Sequence, residues 1–518
     1  MTTLPEAEGR LAELETAANQ AWWDMACSST DASAAAAEQA SAAFEHALAD
    51  PDVAGVAAVD ASPLEQRRAE VLRLLTAGRQ RPAELIDRIV ALETELLGIH
   101  ARYRAPVGDR LLDAAAVDAV LSDSTDEAER RAVWEAARGI GAEVDAPLRS
   151  LARLRNEAAQ ALGYRDHYAL ALASDELAED RLFALLDDLH AQLAPAWKAE
   201  REAIAAERRS ALGLAEEAPL QAWHWVDVYA QDAPSPPHDP LVSAVTGVDA
   251  LTASSAYFRD LGVDVDAVIA RSDVLPRVGK DQHAFMMHVD RAGDVRVLMN
   301  LTPTVRWLET TLHELGHAAY ELELDPKLPW LLRQPAHILT TEAIAMLNGR
   351  RGRDPEFLER YAGVASDVAR SPVNAVVLRR GLLVLAAWVQ VMARFERAFY
   401  ADPAADLGAI WWDLVEHYQG IPRPDGDRGH DWAGKIHLAV APVYYHNYLL
   451  GEILASQIEE WTQRELGVAS PAADAGRVGP LIAARLLRPG ASVRWDHLVE
   501  RATGGPLAVD AFVRQLTG

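Results

Sequence analysis

Residues 313–317 read His-Glu-Leu-Gly-His, and Glu342 follows 25 residues after the second histidine. On a helix, residues four apart share one face about one turn apart, so the imidazoles of His313 and His317 can grip a single metal ion. The Glu342 carboxylate supplies a third donor, and this set suits Zn²⁺ with its fourth position open to water. Glu314 projects beside the metal rather than onto it, where it can take a proton from that water. The expected chemistry is metal-assisted hydrolysis with one Zn²⁺ per chain.

Such chemistry needs a helix under the histidines, and the local sequence predicts one. Thr302-Pro303 reads as a cap followed by proline in the first turn, and Val305, Leu308, Leu312, Leu315 and Leu322 recur at helical spacing up to a break at Pro326. That stripe is ordinary core packing. After a loop punctuated by Pro326, Pro329 and Pro335, a short helical pattern carries Glu342 within Thr341-Glu342-Ala343-Ile344. Upstream, Ala284–Val289 and Val295–Asn300 read as two strands joined by the turn Arg291–Asp294, a small sheet whose edge can receive an extended chain. From Glu6 to about Leu220 the pattern is overwhelmingly helical, including the alanine-rich Ser33–Ala37, while Asp232–Pro240 and Gly420–Gly429 read as loops. No internal repeat of fixed period is present.

The chain has 518 residues, 50% hydrophobic and 25% charged, enough for a large core. Length alone would allow about three domains by the usual prior. The candidate functional residues nevertheless run from Gln231 to Tyr448 without a convincing linker, which predicts one catalytic unit over residues 1–518, with two lobes around a cleft. Fifty Lys and Arg against 77 Asp and Glu give a formal charge of −27, which opposes nucleic acid and anionic membranes as partners. Cys27 is the single cysteine, so no intrachain disulfide can form, as expected in a reducing compartment. The first residues lack a basic stretch followed by an apolar one, and the longest apolar run, Gly381–Ala393, is too short to span a bilayer and contains Gln390. A cytoplasmic protein is the expectation.

Further motifs accompany the histidines: Tyr229-Ala230-Gln231, His283-Ala284 placed 30 residues before His313, the run from Arg296-Val297 to Tyr320, Glu342-Ala343-Ile344, and Lys435-Ile436-His437 with the tyrosines through Tyr448. Weaker likeness reaches Arg155-Asn156-Glu157-Ala158 and Leu162-Gly163-Tyr164. On these the chain resembles the peptidyl-dipeptidases related to angiotensin-converting enzyme, which are gluzincin metallopeptidases, and more distantly the thimet oligopeptidases. The resemblance implies a mainly α fold: an elongated, two-lobed helical ellipsoid with a deep central channel, zinc at its floor and a small β-sheet beside the zinc helix. It implies peptide substrates, with Gln231 and Lys435 binding the free C-terminal carboxylate so that dipeptides are released. His283 and His437 would hydrogen-bond the substrate backbone, and Ala284 would pair with it along the sheet edge. Tyr448 matches the tyrosine that stabilises the oxyanion, with Tyr445 the competing assignment in that cluster.

Two positions depart from the family. Asn447 stands where chloride-activated relatives have arginine, which implies that this anion site is absent. Met346 stands where they have an aspartate beside the metal, so another acceptor must orient the ligating imidazoles. Rival readings are an oligoendopeptidase or carboxypeptidase with the same zinc chemistry, and a peptide-binding protein without turnover. Oligomeric state is not legible in the sequence.

Overall fold

The computed structural model describes residues 2–56, 62–426 and 429–518. The fold is mainly α, with two small antiparallel hairpins among the described residues. Long helices fill the first two hundred residues, from Leu4–Cys27 to Glu179–Leu212, and Ser33–Ala37 lies inside the helix Asp31–Leu48. One interruption is absent from the sequence reading: Ala105–Val107 pairs with Arg110–Leu112 in a hairpin too short to leave an alternating pattern. Residues 232–239 are irregular as expected, but Pro240, placed in that loop by its type, opens the short helix Pro240–Ala244. Of the loop expected at 420–429, Asp427 and Arg428 lie outside the described residues.

The chain divides into two compact units, each assembled from separate segments. The first comprises Met1–Gln80, Asp239–Ala375 and Leu450–Phe512; the second comprises Arg81–His238, Val376–Leu449 and Val513–Gly518.

In the first unit the histidines ride on the helix Val305–Glu323. Its cap is Thr304 rather than Thr302, because the Thr304 hydroxyl accepts from the Trp307 amide at 3.3 Å while Pro303 falls just outside the helix. Val305, Leu308, Leu312 and Leu315 are buried as the stripe predicts, in one core with Tyr257, Phe258, Val297 and Phe357. The helix Ile338–Gly349 carries Glu342 and is capped by His337, whose Nδ1 accepts from the Leu339 amide at 2.9 Å. These two helices meet where Gly316 has no side chain: a Cβ there would stand 2.9 Å from Ala345 Cα and 3.1 Å from the Ile344 carbonyl oxygen. Behind Glu342 the same device recurs, since a Cβ on Gly451 would stand 2.8 Å from Glu342 Cβ.

The hairpin beside the histidine helix pairs Phe285–His288 with Val295–Leu298, with Met286 opposite Val297. Period-two alternation divides its faces. Phe285 and Met287 pack with Trp23 and Ala26 of the first helix, while Ala284, Met286 and Val297 join the core under the histidines. The ladder is shorter than the sequence suggests because Met299 and Leu301 turn to Asp273 and Val274, donating to their carbonyls at 2.9 Å each. Val297 likewise spends its backbone away from the partner strand, donating to Ser272 Oγ at 2.8 Å and accepting from the Asp273 amide at 3.1 Å. Met286 and Val297 are therefore a non-hydrogen-bonded pair, and the Met286 amide points to the outer edge of the hairpin.

Most of the helix Pro372–Ala401 belongs to the second unit. The helical segment Ser366–Ala401 is long and apolar enough, by length and composition, to cross a membrane, whereas the apolar run Gly381–Ala393 within it is too short. Most of its apolar stretch is buried inside the protein. Arg380, on the same helix, is buried against Glu200 and Glu207 at 2.7 Å each, and Gln390 donates to the Leu186 carbonyl at 2.7 Å.

The glycine contact generates a prediction. Alanine is favoured over glycine in a helix by up to about 1 kcal/mol. At Gly316 the added methyl meets backbone rather than a flexible side-chain tip, so overpacking of about 1–3 kcal/mol outweighs that gain. Gly316→Ala is expected to lower the urea midpoint; an unchanged or raised midpoint would show that the helices can part without loss.

Candidate active site

The donor atoms of His313, His317 and Glu342 lie within 4.8 Å of one another, all in the first unit. The two Nε2 atoms are 3.2 Å apart, and each is 3.9 Å from Glu342 Oε2. Two nitrogens on a tetrahedral Zn²⁺ sit about 3.3 Å apart, so the imidazole pair already has the spacing of a metal chelate. Burial lowers the pKa of His313 to about 4 and that of His317 well below its usual value, the latter helped by the neighbouring His313. Both rings are thus neutral near pH 7, the form that ligates. Two neutral imidazoles and a carboxylate, converging with metal-ligand spacing, are a fit for zinc.

Glu314 points to the hairpin rather than into the donor set, and its carboxylate accepts the outward Met286 amide. Burial, and then the negative charge of Glu342, push its pKa up to about 8, against the opposing pull of that amide. A cation at the three donors would favour the ionised form, because it cancels the Glu342 charge. Glu314 is therefore a buried carboxyl group whose proton affinity depends on the charge held at the three neighbouring donors.

The acceptor that Met346 cannot supply is Thr341. His317 Nδ1 lies 2.7 Å from Thr341 Oγ1. With Nε2 turned to the donor set, Nδ1 carries the ring proton and donates to the hydroxyl, which fixes tautomer and ring plane together. One helix thus supplies both the third ligand and the group orienting the second. The only sequence signal for it is a hydroxyl residue immediately before Glu342.

Of the other residues singled out in this unit, Ala284 is half-buried on the hairpin core, one position before the strand, and alternation puts its backbone on the same edge as Met286. His283 lies in the preceding bend, its amide donating to Asp281 at 2.9 Å and its imidazole exposed.

The second unit brings together Gln231, Lys435, His437, Tyr445 and Tyr448. Lys435 Nζ donates to Gln231 Oε1 at 2.6 Å across 204 positions of sequence. The ammonium lies 5.1 Å from the Tyr229 ring centre, 5.2 Å from that of Trp388 and 5.3 Å from that of Tyr445, a cation in an aromatic cage. Burial lowers its pKa to about 8, while Asp227, Asp232 and Asp118 pull the other way. The Tyr445 ring lies tilted against that of His437, with centres 4.8 Å apart, and 5.5 Å from that of Tyr448, and burial raises its hydroxyl pKa. Tyr445 therefore belongs to the lysine cage, and Tyr448 is half-buried against the rings of Tyr444 and Tyr445. Val443, a β-branched residue at φ 58°, holds the strained turn before these tyrosines by donating its amide to Glu396 at 2.8 Å.

No family model matches the chain. Two curated proteins resemble it: thermostable carboxypeptidase 1 of Thermus thermophilus, 26% identical over 46% of this chain and 52% of that one, and angiotensin-converting enzyme of Theromyzon tessulatum, 21% identical over 55% of this chain and 49% of that one. The chain spans about half the length of the curated relatives it matches. Both relatives bear the names of peptidases.

The Thr341 contact carries a prediction about metal. Thr341→Val keeps the shape and deletes the acceptor, and is expected to weaken Zn²⁺ affinity by roughly 10–100-fold in chelator competition, with Thr341→Ser close to the parent. Equal affinity in the valine variant would remove Thr341 from the metal site.

Proposed function

We propose that this protein is a zinc metallopeptidase that releases dipeptides from the free C-terminus of unstructured peptides. The observation carrying the reading is the convergence of His313, His317 and Glu342 next to a buried Glu314. When bound there, Zn²⁺ supplies Lewis acidity to the attacked carbonyl and lowers the pKa of water. Glu314 takes the proton of the attacking water and returns it to the departing amine. The Met286 amide keeps that carboxylate beside the hairpin, and the edge carrying Ala284 receives the substrate backbone. His283 and His437 align the peptide, and Tyr448 donates to the oxygen on which charge develops, with Tyr445 the alternative donor. Lys435 and Gln231 bind the terminal carboxylate, a role that suits a buried cation donating to a neutral amide oxygen.

A second reading, a carboxypeptidase removing single residues, is favoured by the name of the Thermus thermophilus relative. Product lengths separate the two. Mass spectrometry of digests of a mixed peptide library is expected to reveal dipeptides whose release stops with a chelator and resumes with Zn²⁺; single amino acids would select the carboxypeptidase. Glu314→Gln is expected to retain zinc and lose most turnover, since an amide cannot accept the proton. Near-normal hydrolysis by that variant would remove Glu314 as the base.

The carboxylate anchor is tested by charge. Lys435→Ala is expected to impair cleavage of free-acid peptides far more than of the matching amides, which never had the charge-assisted contact. Lys435 is cationic below about pH 8 and neutral above it, so in the parent the preference for acid over amide should decline as pH rises through that value. A preference independent of pH from 7 to about 9.5 would contradict the assignment.

A further inference from the structure

We infer that Asp227 and Gln419 are positioning residues that clamp the turn before Gln231, so that the Gln231 amide presents its NH₂ group, and never its oxygen, to the end of the substrate. The inference rests on the proposed carboxylate site and assigns the part of it that discriminates an acid from an amide.

The turn is held from both sides. Asp227 Oδ1 accepts the amides of Tyr229 at 2.8 Å and Gln231 at 3.2 Å, and Oδ2 accepts the amide of Asp232 at 2.9 Å. The buried side chain of Gln419 donates from Nε2 to the carbonyls of Tyr229 at 3.0 Å and Ala230 at 2.8 Å. Between these grips Ala230 sits at φ 51°, a left-handed conformation that a residue with a Cβ adopts only when its surroundings impose it. Releasing either grip lets Ala230 relax, and Gln231 moves with it.

The amide orientation then follows from donor chemistry. An ammonium only donates, so the Gln231 atom 2.6 Å from Lys435 Nζ must be the oxygen, and the NH₂ group faces away from the lysine. Lys435 and the Gln231 NH₂ therefore offer donors alone. A terminal carboxylate, which only accepts, satisfies both; a terminal amide can turn its own NH₂ toward a donor, so it is disfavoured by mismatch as well as by lost charge. Asp227 also supports the lysine directly, being the largest of the charges that offset the burial of Lys435, although burial raises its own pKa to about 6.

The experiment measures kcat and KM on one peptide as free acid and as amide, with zinc content and thermal midpoint, for Asp227→Asn, Gln419→Leu, Gln231→Ala and Lys435→Ala. Asp227→Asn and Gln419→Leu are expected to raise KM for the acid about five- to tenfold, the worth of roughly one hydrogen bond, with kcat, amide kinetics and zinc content near the parent. If Gln231→Ala lowers the acid-to-amide ratio while the folded clamp variants leave it unchanged, the clamp is overturned and the carboxylate site stands. Unchanged ratios in all four variants overturn both. Should Asp227→Asn fail to fold, Gln419→Leu, which leaves every Asp227 contact in place, decides the question.

Discussion

Everything at the candidate centre depends on how closely its neighbouring helices can approach the one that carries Glu342. Glu342 reaches the histidine pair because Gly316 and Gly451 leave no Cβ where backbone and side chain from neighbouring helices must pass. One methyl group at Gly316 would push on Ala345, one turn beyond Glu342, and the donor separations of 3.2 and 3.9 Å would not survive a shift of an ångström. The glycine inside His-Glu-Leu-Gly-His is thus a packing requirement placed within a chemical motif. The buried apolar stripe of the same helix supplies the rigidity, and Thr341 sets one ring plane.

The second unit solves a different problem, that of keeping a cation in a dry place. Lys435 is buried among three aromatic rings, and burial favours its neutral form. Ring faces, the Gln231 oxygen and nearby aspartates each offset part of that cost, and the balance leaves the lysine titrating near pH 8. A group poised in this way gains most from an arriving anion, because the new partner replaces hydration that burial has already removed. The strained residues Ala230 and Val443 flank the cluster, each held by a buried side chain, Gln419 and Glu396.

Which of this could be read from the sequence follows from the range of the interactions. His313, Glu314 and His317 declare themselves because helical periodicity is local, and Glu342 because it stands 25 residues after the second histidine in a short helical pattern. The hairpin was legible from its alternation, although its ends were not, since Met299 and Leu301 pair with residues 273 and 274, which carry no strand pattern. Thr302 and Thr304 are equally good caps by type, and only the backbone decides between them. The helix Pro372–Ala401 extends beyond the apolar run Gly381–Ala393 because Arg379 and Arg380 interrupt its apolar letters, while in the fold their charges are met by Glu200 and Glu207. Gln231 and Lys435 came only from the resemblance, as nothing local links residues 204 positions apart. Thr341, Asp227 and Gln419 act through others and leave no spacing to find.

The most direct test of the central claim is anomalous diffraction at the zinc absorption edge from crystals of the protein grown with Zn²⁺. The account predicts one strong peak per chain, bounded by His313 Nε2, His317 Nε2 and the Glu342 carboxylate, with metal–nitrogen distances of about 2.0–2.1 Å. A crystal with no peak at these three residues, or with zinc held by other groups, would contradict it.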